Sequence, residues 1–84
     1  MNMQYEYKTC GTCSQYIHFD IEEGKVKNVQ FIGGCNGNLQ GISKLVEGMD
    51  ASEVIERIKG IKCGMKPTSC PDQLATALAE ALNA

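Results

Sequence analysis

The sequence predicts an α+β domain: a three-stranded antiparallel sheet followed by three helices packed on one of its faces, in the manner of a small scaffold protein. Two observations predict it. Apolar and polar residues alternate with a period of two as far as about residue 32, the mark of half-buried strands. The apolar spacing then lengthens to three and four residues, the mark of helices with one buried stripe.

The elements follow in order. Tyr5, Tyr7 and Thr9 alternate with Glu6 and Lys8 and predict a first strand, interrupted by Cys10-Gly11-Thr12-Cys13. A second strand runs to about Ile21, with Ile17, Phe19 and Ile21 on one face and Tyr16, His18 and Asp20 on the other. Glu22-Glu23-Gly24-Lys25 suits a tight hairpin turn, where glycine supplies positive φ. The third strand spans Val26 to about Ile32. Its alternation slips between Val26 and Val29, which predicts a bulge near Asn28. Leu39, Ile42, Leu45, Val46 and Met49 then fall at helical spacing, ended by Gly48. Asp50 and Glu53 stand in a capping-box arrangement before a short helix carrying Val54, Ile55 and Ile58, which Gly60 stops. Ser69 as cap, Pro71 in the first turn and Asp72 at the positive end open a last helix, with Leu74, Ala77, Leu78, Ala81 and Leu82 as its packing face.

With 84 residues the chain is taken as one cysteine-rich domain, 1–84, short enough for a metal or a partner subunit to matter to its stability. A hydrophobic content of 43% excludes compositional disorder. A formal charge of −2 argues against a generic nucleic-acid binder. No apolar run approaches the roughly 20 residues of a membrane span. The start, Met1 to Glu6, has neither a basic leader nor an apolar core, so the cytoplasm is expected. In a reducing compartment, five cysteines read as free thiols or ligands rather than a disulfide framework.

Each cysteine lies where an element ends, and element ends are where distant parts of a chain can converge. Gly33 to Asn38 around Cys35 is rich in exposed amides and leads into a helix N-terminus; Cys70 also opens a helix. Arg57, Lys59, Lys62 and Lys66 surround Cys63, with no acidic residue from 57 to 66. Four thiolates would suit a tetrahedral zinc or an iron–sulfur cluster, although only Cys10 and Cys13 form a close pair. Redox chemistry and purely structural thiols are the other readings of the same pattern. His18, the only histidine, is expected to be solvated or singly hydrogen-bonded, the basic run to be solvated, and Tyr5, Tyr7 and Tyr16 to edge the apolar sheet face. No nucleophile elbow, matched carboxylate pair, Walker sequence or dinucleotide fingerprint occurs, so the chain is read as noncatalytic on its own.

Thr68-Ser69-Cys70-Pro71-Asp72, together with Gly11-Thr12-Cys13-Ser14, Phe31 to Asn38, and Gly60-Ile61-Lys62-Cys63-Gly64, resembles the TSCPD domain family, specifically its small four-cysteine bacterial proteins. The resemblance implies that Cys13, Cys35, Cys63 and Cys70 are the shared cysteines and Cys10 is extra. It also implies an accessory role beside cobalamin-dependent ribonucleotide reductases. A looser likeness is to iron–sulfur scaffold proteins, which place a cluster cysteine after a glycine before a helix, as Cys35 stands, and another opening a late helix, as Cys70 does. Ser14 stands where those proteins carry an aspartate, and Ser69 where they carry a histidine.

The sequence therefore leads to the expectation of a metal-binding accessory domain with Cys13, Cys35, Cys63 and Cys70 as ligands, zinc first and an iron–sulfur cluster second. The competing expectation is a reductase-associated nucleotide or protein interaction module with structural or redox cysteines. Compatible partners are a protein of nucleotide reduction or metal delivery, or a second copy of the chain.

Overall fold

The computed structural model describes residues 2–9, 11–12, 14–34 and 36–83. Strands β1 (Asn2–Lys8), β2 (Ser14–Glu22) and β3 (Lys25–Gly33) form one antiparallel sheet in the order β1-β2-β3. Helices α1 (Asn36–Val46), α2 (Ala51–Ile58) and α3 (Cys70–Leu82) follow. The expected α+β order is the observed one.

The strands form for the reason their alternation gives. Ile17, Phe19, Val26 and Val29 point to one face and are buried there, while His18 and Gln30 pair across the other. The β2–β3 turn places Glu23 and Gly24 both at positive φ (53° and 80°), the conformation whose twist matches a hairpin. At Asn28 the phase of β3 slips: His18 pairs with Gln30, but Asp20 pairs with Lys27, so two residues oppose one. Asn28 takes φ 54°, its Nδ2 donates to Asp20 (2.8 Å), and its backbone N–H donates to Glu47 Oε1 (2.9 Å). This bulge lets Val26 and Val29 both reach the core from positions of unlike parity.

The helices close over the same face. Val46 from α1, Ala51 and Val54 from α2, and Leu74, Ala77 and Leu78 from α3 join the sheet residues in one core. Tyr5 stacks on Phe19, ring centroids 5.2 Å apart. Tyr5 and Tyr7 pack against this core, but Tyr16 stands on the opposite face, paired with Ile32 and partly exposed, because it shares the parity of His18.

Chain 47–51 covers the start of β3. Val26 donates to Met49 O (2.8 Å) and accepts from the Gly48 N–H (2.7 Å), and the Ala51 N–H donates to Gly24 O (2.9 Å). Gly48, at φ 81°, turns the chain out of α1 for this purpose. The capping box expected before α2 does not form. The Asp50 carboxylate instead accepts from Lys25 Nζ (3.1 Å), and Glu53 pairs with Arg57 one turn on (2.8 Å). Among the described residues no helix is long and apolar enough to cross a membrane.

Candidate functional site

The signature stretch at the start of α3 has a physical job for each residue. Ser69 is the N-cap: its backbone is extended (φ −149°, ψ 169°), and its Oγ accepts from the Asp72 N–H (3.1 Å). Pro71 occupies the first helical turn, where its missing N–H costs nothing. Asp72 gathers the preceding loop. Its Oδ1 accepts from the Gly60 N–H (2.6 Å), and its Oδ2 accepts from the Thr68 hydroxyl. Thr68 Oγ1 accepts in turn from Gln73 Nε2 (3.1 Å). Residues 59–69 are thereby fastened at both ends, and the Cys63 N–H donating to Thr68 O (3.1 Å) folds the loop back on itself.

Cys70 turns inward. It is only 7% exposed, and its Sγ lies 3.2 Å from Ser14 Oγ at the start of β2. Ser14 is itself buried and within 3.2 Å of Thr12 Oγ1. Gly11 and Ser14 thus come against the signature. A Cβ at Gly11, which takes φ 76°, would sit 3.3 Å from Thr68 Cγ2. Cys63 takes the other fate and lies exposed on the loop.

These placements correct the expected metal centre. Among the described residues no three His, Cys, Asp or Glu side chains are grouped so as to hold a metal ion. The described candidates have other surroundings. Cys70 is buried against Ser14, Cys63 is exposed, and Asp72 is committed to Gly60 and Thr68. His18 lies on the far sheet face beside Glu6, at 3.4 Å. Cys13 and Cys35, the other two expected ligands, lie outside the described residues, as does Cys10. The reading as a zinc or iron–sulfur protein is therefore replaced. The basic run does not surround Cys63 as a whole either, since Arg57 and Lys59 turn to Glu53 and Glu56 on α2.

What the loop does build is a groove. α1, residues 61–63 and the start of α3 enclose a hollow of about 510 Å³ whose walls are mostly apolar. Leu39, Gly41, Ile42 and Leu45 form one side; Ile61 and Pro71 form much of the other. Cys63 and Cys70 both line it. Leu45 is 78% exposed although it belongs to the helical stripe expected to be buried, and Ile61 is 44% exposed. Met65, near by in the same loop, is fully exposed. A larger hollow, about 590 Å³, is lined by residues of the sheet and of α1, but there Asn28 is bonded to both Asp20 and Glu47.

The sequence located the loop and its thiols but missed the groove. Leu45 carried no signal of exposure, because helical spacing does not report how wide the covered stripe is. Ile61 and Met65 did carry one: they are isolated apolar residues in a loop otherwise made of glycine, proline, lysine and small polar residues.

A small α+β domain whose loop is fastened by a Thr-Ser-Cys-Pro-Asp helix start is the class these features define. The family model for the TSCPD domain matches residues 2–82, and the chain belongs to that family. No curated protein and no solved structure matches it.

Proposed function

We propose that this chain is a noncatalytic protein-interaction module that works beside a ribonucleotide reductase in the cytoplasm, with Cys70 as a structural thiol. The observation that carries the reading is the apolar groove with Leu45 at 78% exposure on its α1 wall and Ile61 exposed on the loop side. Exposed apolar side chains gain roughly 1.5–3 kcal/mol each when a partner fully covers them, and rimmed apolar patches mark interaction sites. The cysteine reading follows from burial: Cys70 packs at the helix start against Ser14 and serves the fold. The reductase association is supported by the signature and the surrounding motifs, which resemble domains found in or beside those enzymes.

Calorimetric titration of the purified chain against the ribonucleotide reductase of the same organism tests this. Binding is expected, and Leu45→Asp is expected to weaken it at least tenfold while leaving the circular dichroism spectrum unchanged. Failure of the unaltered chain to bind sinks the association.

A further inference from the structure

We infer that the occupant of the groove is an acidic amphipathic helix of a partner protein, an inference that rests on the groove being the interaction surface. Three observations lead there. The first is charge. The chain is net acidic, with ten carboxylates against eight basic residues, yet neither α1 (Asn36–Val46) nor residues 59–71 contains a single carboxylate. Lys62 lines the groove, and Lys66 lies in the same loop. Neither has a carboxylate partner among the described residues. The two acidic residues just beyond these segments are turned to backbone donors, Glu47 to the Asn28 N–H and Asp72 to the Gly60 N–H. A partner in the groove thus meets Lys62 and no carboxylate among the described lining residues, and an acidic surface complements it.

The second observation is Gly41. It stands in the middle of α1 on the groove wall, where glycine weakens a helix relative to alanine. A Cβ there would meet nothing within 4 Å, and φ is not positive, so the fold does not require the glycine. Its bare backbone leaves room for something that approaches from outside. The third is the shortage of free polar groups in the lining. Among the described lining residues, apart from Lys62 and the thiols, the polar side chains are Asn38 and Ser69, and Ser69 is already the cap of α3. An extended peptide would leave its own N–H and C=O groups unpaired against such walls, whereas a helix satisfies them internally and offers side chains at i, i+3, i+4 and i+7.

Fluorescence anisotropy with three labelled helical peptides tests the inference. All share one leucine stripe; their flanks carry glutamate, lysine or glutamine. The glutamate peptide is expected to bind at least tenfold tighter than the lysine peptide, with the glutamine peptide between. K62E/K66E is expected to reverse that order. Gly41→Ala is expected to raise the Tm by about 2–8 °C while weakening the glutamate peptide several-fold, a pairing that loss of folding cannot produce. Equal binding of the peptides, binding of none, or unaltered binding by Gly41→Ala overturns the inference. So does a single-stranded DNA oligomer that binds as tightly as the glutamate peptide and is indifferent to Leu45→Asp. The titration against reductase stands apart from these measurements, so a bound reductase with no charge preference among the peptides would remove the acidic helix and leave the interaction module in place.

Discussion

The two walls of the groove are built on opposite principles. On the α3 side, Thr68, Ser69 and Asp72 are bonded to one another and to the adjoining loop, and Cys70 is buried against Ser14. On the α1 side, Leu45 stands mostly in solvent and Gly41 adjoins open space. The first wall is explained by the needs of the fold. The second carries a mid-helix glycine that weakens the helix and a leucine that the fold leaves uncovered, although Leu39 of the same wall is buried. A residue's neighbours therefore separate architecture from use within a single hollow.

Substitutions on the two sides test that contrast. The largest loss is expected at the base of α3, where Leu74 is fully buried. Leu74→Ala removes its side chain from the shared core and should cost about 2–5 kcal/mol, read as a lowered denaturant midpoint at constant slope. Asp72→Ala comes next. It frees the Gly60 N–H and the Thr68 hydroxyl and removes an acidic group from the positive end of a helix, for a loss of about 1–3 kcal/mol in the same measurement. It should also speed amide exchange at Gly60. Ser69→Ala deletes the cap alone and should cost about 1 kcal/mol, with Ser69→Asp retaining most of it. The smallest effect belongs to the other wall: Leu45→Asn should change unfolding stability by no more than about 0.5 kcal/mol. Should Leu45→Asn cost as much as Ser69→Ala, the α1 wall would belong to the fold after all and the contrast would fail.

Much of this architecture could be read from the residues themselves. The slipped alternation at Val26 and Val29 announced the bulge at Asn28, because a period of two cannot put both valines on one face without it. Ser69, Pro71 and Asp72 announced the start of α3, since capping is decided within four residues. Readings that failed depend on competing partners. Asp50 and Glu53 matched a capping box, but Lys25, across the chain, claims the first carboxylate and Arg57, one turn on, the second. Tyr16 does not edge the apolar face, because its parity with His18 keeps it on the other. The same limit governed the thiols. The positions of Cys63 and Cys70 at element ends were plain, but the contact of Cys70 with the hydroxyl of Ser14, 56 residues away, was not.

The cover over β3 has a consequence for self-association. Unprotected outer strands are templates on which further chains can add, layer by layer, toward fibres. Gly24, Val26 and Asn28 have backbone groups already engaged by residues 47–51, and the positive φ of Asn28 spoils the flat repeat that such stacking needs. Growth of the sheet is blocked along that margin.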